Sequence, residues 1–445
     1  MAKEDAWLDP ARNVVVSVRG VEPGLVTAVK KLEQRLGRSL IGIDLVDKKA
    51  INNKYRIKDE TGLFKEIICD FDDAVELQQV LKPYIDTALV ATCRLEEAIK
   101  DFRRAMCYLP YISTSSEASL TWCTQKRLMR DKMWAYDSKL VPKYKSLASY
   151  DPTSLSTDLE DFEFPVIVKP NGLYASMLVT RCNDRQELEA CLERTLEVID
   201  EVYSQSDGTG APSVLVEEMM QGDMYSVDAY LGPTGAFYCL PPVHVITSHA
   251  MGLPGFAGYL STLPSGLSEE QLAAAYEAAH AAVRALNLRS TTAHIEMFLT
   301  ESGWKIIELG PRIGGCREDM YREVYGVDHH YNDLLVRLGL EPEMPMAVLK
   351  HVAAVTVSAT EEGIITEIDG VEEALQLPSI VKSGLEVKVG DRAVLAGNGG
   401  EPFVEAILSN TDPEKLLADA ARLRELIKVK VIDNEVSLYE TLPST

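Results

Sequence analysis

Between residues 293 and 315 the chain reads AHIEMFLTESGWKIIELGPRIGG. Two apolar runs flank Glu301, Ser302 and Gly303, which predicts a β-hairpin with a three-residue loop and Gly303 in its left-handed position. That register sets Thr300 opposite Trp304, Phe298 opposite Ile306 and Glu296 opposite Glu308, with Phe298, Ile306 and Trp304 on the face of the two carboxylates. Directly opposed residues have Cβ atoms only about 5 Å apart, and like charges there repel. A divalent cation between Glu296 and Glu308 removes the repulsion, because Mg2+ takes one or two carboxylates and fills its other positions with phosphate oxygens and water. A like-charge pair on a solvated face is the alternative. Four residues after Glu308, Arg312 is confined by Pro311 and by Gly314 and Gly315. A guanidinium fork suits a phosphate or carboxylate under transformation, or else a salt bridge to one of the two glutamates.

Cations elsewhere match that chemistry. Lys169 ends the apolar strand FPVIVKP, and Pro170, Asn171 and Gly172 turn the chain directly after it. The loop continues to Ala175 and Ser176, so a fixed ammonium stands beside free backbone N–H donors, an arrangement suited to a polyphosphate. Lys126, near the start of QKRLMRDKM, is a candidate second phosphate cation. For both lysines the alternative is solvation, as a snorkelling strand end or an exposed helix residue.

The elements that must carry these groups follow from periodicity. Over the first 110 or so residues strands and helices alternate: NVVVSV, the helix PGLVTAVKKLEQRLG, SLIGIDLV, EIICDF, the helix DDAVELQQVL and TALVAT. This is the pattern of a small parallel α/β sheet. RGVEPG after the first strand is not G-x-G-x-x-G, which argues against a dinucleotide fold. A helix CTQKRLMRDKMWAY and a linker-like YDPTSLSTDLEDFEF come next. PVIVKP and MLVTRC read as strands and DRQELEACLERTLEVIDEVY as a helix. VLVEEMM and MYSVDAYL read as a hairpin turning at QGD. Ser268 and Gln271 predict a capping box before the helix EEQLAAAYEAAHAAVRALNL. Short strands begin near residue 347.

Composition bounds the function. The 445 residues, 46% hydrophobic and 25% charged, fit an ordinary globular protein of several domains. A net charge of −23 argues against nucleic-acid or anionic-membrane partners. No apolar run reaches the ~20 residues that span a bilayer, and the polar start is no signal peptide, so a cytoplasmic location is expected. The eight cysteines form no CxxC pair and read as buried thiols. His329 and His330 read as structural, since consecutive residues do not share a ligand on a helix.

PVIVKP, VLVEEMMQGDMYSVD, AHIEMFLTESGWKIIELGPRIGG and the KRLMRDKM helix stand in the order and spacing of the ATP-grasp superfamily. The chain resembles its carboxylate–amine ligases, in particular the bacterial L-amino-acid (dipeptide) ligases, which are similar to carnosine synthases. The resemblance implies an α/β ATP-grasp fold with a Rossmann-like pre-ATP-grasp domain (1–112). It further implies a central lobe forming a lid (113–212), a second lobe with the metal site (213–346) and a strand-rich C-terminal cap (347–445). It implies ATP and Mg2+ (or Mn2+) as cofactors. Lys126 and Lys169 would contact the phosphates, under the 171–176 loop with Ser176. Glu217 would sit at the adenine amino group, with the backbone of Glu218 to Met220 on the base edge. Glu296 and Glu308 would hold the metal, and Arg312 would stabilise the transferring phosphoryl group.

The chain departs from the pattern in places. ELGPR puts Gly310 where Glu-x-Asn-x-Arg is usual, so the amide ligand is missing. Met224 stands where a ribose-binding acid is common; Asp223 is the substitute, if a bulge turns it inward. The phosphate loop is poor in glycine, and Tyr174 could serve as a lid. The function expected is an ATP-dependent ligase that joins a carboxylate, such as an amino acid, to an amine through an acyl phosphate. The acceptor pocket would involve 244–259 and 314–319, with His244, Met251, Gly314 and Gly315 as candidate substrate contacts and His249 and Phe256 beside them. Partners are small molecules. Members of this class are often dimers, so a homodimer is an expectation that no segment specifies. The alternatives are a biotin-carboxylase-like enzyme and a non-catalytic ATP-binding protein.

Overall fold

The computed structural model describes residues 9–51, 57–149, 159–174, 176–206, 208–253, 256, 258–344, 347–396 and 400–432. Ala175 of the phosphate loop and residues 150–158 of the linker lie outside them.

In the N-terminal region β1 (Val14–Val18), α1 (Pro23–Leu36), β2 (Ile41–Asp47), β3 (Phe64–Cys69), α2 (Ala74–Leu81), β4 (Ala88–Cys93) and α3 (Ile99–Met106) alternate as the periodicity predicts. The strands form an all-parallel sheet in the order β3-β2-β1-β4. Pro23 opens α1 and Gly37, with φ 64°, closes it. β1 and β4 are apolar because helices cover both faces, whereas the edge strand β3 leaves Lys65 and Glu66 exposed.

The predicted single helix across CTQKRLMRDKMWAY is two. α4 (Glu117–Thr124) and α5 (Lys126–Tyr136) are broken at Gln125, whose backbone is extended. Next come β5 (Tyr144–Leu147), β6 (Val166–Pro170), β7 (Thr180–Cys182), α6 (Arg185–Gln205) and β8 (Val214–Glu218). The strands make an antiparallel sheet β5-β8-β6-β7 backed by α6. Of MLVTRC only the last three residues are strand, because Ser176 and Leu178 take positive φ.

The rest is built on one nine-stranded sheet. β9 (Asp223–Leu231), β10 (Phe237–Cys239), β11 (Val243–Thr247), β12 (Gly258–Leu263), α7 (Glu269–Ala285), β13 (Thr291–Thr300), β14 (Gly303–Gly310), α8 (Arg317–Tyr325), α9 (His329–Arg337) and β15 (His351–Val357) follow one another. Then come β16 (Gly363–Asp369), β17 (Ile380–Leu385), β18 (Arg392–Ala393), β19 (Val404–Asn410), α10 (Pro413–Leu426) and β20 (Lys428–Ile432). The large sheet runs β14-β13-β9-β11-β12-β15-β19-β17 with β10 on β9, and a small sheet β18-β16-β20 lies beside it. Pairing of β12 with β15 therefore carries the sheet past residue 347 without interruption. The capping box of Ser268 and Gln271 forms as expected.

The hairpin expected of VLVEEMM and MYSVDAYL does not form. β8 pairs with β5 and β6 in one sheet, β9 with β13 and β11 in another, and Met219–Gly222 crosses between them. Gly222 (φ 138°) permits the crossing, since a Cβ there would lie 2.0 Å from the Leu299 carbonyl oxygen. The two sheets thus face each other across a cleft at this crossing.

Candidate active site

The cleft holds a cavity of about 530 Å3, within the range that takes a drug-sized or nucleotide-sized ligand. Two lysines enter it from different elements, and one residue ties those elements together. Asn171, directly after β6, accepts from the Lys126 N–H through its carbonyl (2.9 Å) and from the Arg127 N–H through Oδ1 (2.6 Å). It caps α5 from a distance and satisfies donors that a helix start leaves open. Lys126 Nζ then lies 2.9 Å from Glu308 Oε1 and donates to the Leu173 carbonyl at 2.5 Å.

Behind the lysines lies a buried ion cluster. Arg130, one turn after Lys126 on α5, points Nε at Glu217 Oε1 (2.7 Å) and Nη2 at Oε2 (3.2 Å) and at the Ile307 carbonyl (2.6 Å). Lys169 Nζ reaches Glu217 Oε2 at 2.7 Å. All three side chains are buried. Burial alone would raise the Glu217 carboxyl, but Arg130 and Lys169 bring it down to about 2. Glu217 therefore lines the cavity as the counter-ion of two cations.

For Lys169 burial is the largest influence, and against the pull of Glu217 it lowers the ammonium to about 8. The sign follows. The folded chain releases this proton near pH 8, whereas an unfolded lysine holds it to about 10.5, so the cost of burying the charge is relieved as pH rises through that window. The cavity loses a cation over the same range. ATP affinity, measured by titration calorimetry from pH 7 to 9.5, is expected to fall above about pH 8, and Lys169→Arg, which cannot titrate there, is expected to flatten the decline. An unchanged profile in both proteins excludes Lys169 as a phosphate contact.

Glu296 and Glu308 pair as the sequence predicts, but the rest of the hairpin is shifted. Met297 faces Ile306, Phe298 faces Lys305, Leu299 faces Trp304 and Thr300 faces Gly303, with a β-bulge at Ile307. The turn is one residue shorter than expected, and the bulge restores the carboxylate pairing. Its effect is to separate chemistry from core. Trp304 and Ile306 point into the core under α7, while Phe298, Glu296, Ile307 and Glu308 border the cavity. Glu296 and Glu308 keep 34% and 30% of their side-chain surface open. Opposed, part-open oxygen donors at the end of a cavity bearing two lysines fit a hard divalent cation bound to phosphate.

A chain of charges that sequence reasoning missed supports Glu296. Asp228, fully buried on β9, accepts from His294 Nδ1 (2.5 Å), His329 Nε2 (2.8 Å) and the Gly314 N–H (2.9 Å). His294 Nε2 lies 3.5 Å from Glu296 Oε1. Burial disfavours the imidazolium, but Asp228 outweighs it and raises His294; burial likewise disfavours ionised Glu296, and His294 with two arginines holds it low. The signals were an aspartate inside the apolar run YSVDAYL and a histidine two residues before Glu296 on the same strand face. Arg130, four residues from Lys126, carried a similar signal.

Of the predicted site residues, Lys126, Lys169, Ser176, Glu217, Glu218, Met220, Asp223, His244, Glu296 and Glu308 all border the one cavity. His249 and Phe256 do too, and the His244 ring stacks on Tyr225 with centroids 5.0 Å apart. Asp223 and Met224 both border it although β9 runs against β13 without a bulge there. Met251 does not belong to the lining; it is 51% exposed at the end of a short turn. Arg312, Gly314 and Gly315 also lie outside the lining. Arg312 pairs with Glu96 of the N-terminal region (2.7 Å), not with Glu296 or Glu308. The Gly314 N–H is held by Asp228, and the Gly315 carbonyl by Arg94.

A profile of the ATP-grasp domain matches residues 162–319, which span the lid sheet, the crossing and the glutamate hairpin. Residues 162–319 are an ATP-grasp domain. A second profile, the L-amino acid ligase C-terminal domain 2, matches residues 355–431. Together they place this ATP-grasp protein with the ligases of the superfamily. The chain is 25% identical to human (Homo sapiens) carnosine synthase 1 over 248 residues, 54% of its own length and 29% of that protein. It spans less than two thirds of the curated relatives it matches. Its fold superposes on an L-amino acid ligase from Bacillus licheniformis with a TM-score of 0.75 and 18% identity, covering 96% of this chain and 100% of that one. A biotin carboxylase from Campylobacter jejuni gives 0.61 and 13%, covering 94% and 92%. Among the described residues no helix is long and apolar enough to cross a membrane.

Proposed function

We propose that this ATP-grasp protein is an ATP- and Mg2+-dependent carboxylate–amine ligase. A carboxylate oxygen of the first substrate bonds to the γ-phosphorus while the β–γ bridging P–O bond breaks, giving an acyl phosphate and ADP. The amine nitrogen of the second substrate then bonds to the acyl carbon, the C–O bond breaks, phosphate leaves, and the amine's proton passes to solvent. The product is an amide of dipeptide type.

The observation that carries this reading is the meeting of Lys126 and Lys169 with the opposed Glu296 and Glu308 in one cavity. Phosphoryl transfer demands positioning and charge neutralisation rather than covalent help from the protein. Lys126 and Lys169 would hold the phosphates, and the loop with Ser176 would close over them. The base would lie against Glu218, Met220 and Ile307. Glu296 and Glu308 would hold Mg2+, which when bound neutralises charge on the phosphate oxygens. Arg312 would stabilise the phosphoryl group and the acyl phosphate, and His244 would contact a substrate. The C-terminal domain supports amino acids as the substrate class.

The test is a product screen by mass spectrometry with ATP, Mg2+ and all pairs of amino acids, β- and γ-amino acids included, with phosphate release followed in parallel. Amino-acid-dependent ADP release with a condensed product is the expected result. Folded protein that binds Mg-ATP yet never cleaves it with any pair refutes the reading, and cleavage stimulated by bicarbonate alone replaces it with a carboxylase.

A further inference from the structure

Directly after β4, the segment Arg94-Leu95-Glu96 reaches from the N-terminal sheet to the loop that follows β14. Arg94 Nη1 donates to the Ile313 carbonyl (2.9 Å) and Nη2 to the Gly315 carbonyl (2.6 Å), while its Nε pairs with Glu22 at 3.1 Å. Two residues on, Glu96 Oε2 lies 2.7 Å from Arg312 Nε. Arg312 Nη1 donates to the Ile313 carbonyl at 3.0 Å, and no hydrogen bond engages Nη2 among the described residues. Glu96 gets there through space that Gly310 leaves open: a Cβ on Gly310 would stand 2.6 Å from Glu96 Oε2. Glu96 and Glu308 also border one small cavity, together with Gly172, Leu173 and Tyr174 of the loop after Lys169.

We infer that Arg94 and Glu96 are positioning residues for Arg312. Arg94 pins the backbone of the loop through two carbonyls. Glu96 Oε2 stands against Nε as a close ion pair without a hydrogen bond, which draws the guanidinium toward the N-terminal region, while Nη1 is tied to the Ile313 carbonyl and Nη2 is left as the end available to substrate. Gly310 is then required by space, because any side chain there displaces Glu96 and lets the guanidinium swing. The N-terminal region is thereby part of the catalytic geometry although none of its residues is assigned to the nucleotide. This inference rests on the ligase reading for the role of Arg312.

The experiment compares wild type, Glu96→Gln, Gly310→Ala, Arg312→Lys and the Glu96→Gln/Arg312→Lys double variant, using Mg-ATP and a productive substrate pair. Glu96→Gln is expected to lower kcat by about 10- to 100-fold, as a misaimed catalytic group does, while calorimetric Mg-ATP affinity stays within about 2-fold. On the Arg312→Lys background the same change is expected to add less than about 2-fold, because both act through one group. Gly310→Ala is expected to match Glu96→Gln, and Glu96→Ala/Gly310→Ala to be no worse than Glu96→Ala, since truncation vacates the space. Wild-type kcat in Glu96→Gln, or effects that multiply in the double variant, overturn the inference. If wild type turns over no substrate pair, the ligase reading fails instead. Hydrogen exchange at residues 310–315 then decides: faster exchange in Glu96→Ala and Arg94→Ala upholds the strap, and unchanged exchange overturns it.

Discussion

Glu308→Gln is expected to reduce ATP-dependent product formation by on the order of 10²- to 10³-fold, the scale of losing one preorganised electrostatic group. The residue faces Glu296 across the hairpin and Lys126 at 2.9 Å. The glutamine keeps the shape and removes the charge a cation needs. In the nucleotide-free protein two effects oppose each other: repulsion from Glu296 is relieved and the pair with Lys126 is lost. Both are part-exposed interactions, so unfolding free energy is expected to move by less than about 1 kcal/mol. Thermal unfolding with and without Mg-ATP separates the cases. Wild type should be stabilised by Mg-ATP and the variant should not. A Glu308→Gln protein with full turnover removes that carboxylate from the metal role.

The second large effect is on stability. Arg130→Met leaves Glu217 with Lys169 as its only ion-pair partner among the described residues and strips the Ile307 carbonyl of its donor. The loss of two charge-assisted hydrogen bonds to a buried carboxylate and of the donor to a buried carbonyl is expected to cost about 3–5 kcal/mol. The urea midpoint is expected to fall accordingly. Arg130→Met/Glu217→Gln is expected to recover none of the loss, because it leaves the buried Lys169 ammonium without its counter-charge. A single variant unfolding at the wild-type midpoint would mean that water or rearrangement replaces Arg130, and the cluster would then contribute nothing to stability.

Several sequence expectations survive because their causes are local. Alternation of apolar strands and amphipathic helices foretold the parallel N-terminal sheet, and Pro23 with Gly37 marked the ends of α1. Ser268 and Gln271 foretold their own capping box. The opposition of Glu296 and Glu308 was legible too, although by a different route through the hairpin, since the shorter turn and the bulge at Ile307 offset each other. A strand's period of two cannot announce a bulge; burial does, by drawing Trp304 and Ile306 into the core on the far side from the carboxylates.

The types of group were fixed in the sequence: two carboxylates set against each other, a lysine at the end of an apolar strand, a second lysine opening a helix, and an arginine confined by proline and glycine. Caps, periodicity and short turns act over a few residues, so these features can be read directly. Which groups meet was decided by tertiary packing. Arg130 and Glu217 are 87 positions apart and join only because tertiary packing brings α5 to the end of β8. Arg312 turned to Glu96 because Gly310 left a gap that a carboxylate from the segment after β4 could fill. A buried charge must find its counter-charge wherever the packed elements bring one, and no local pattern records that choice.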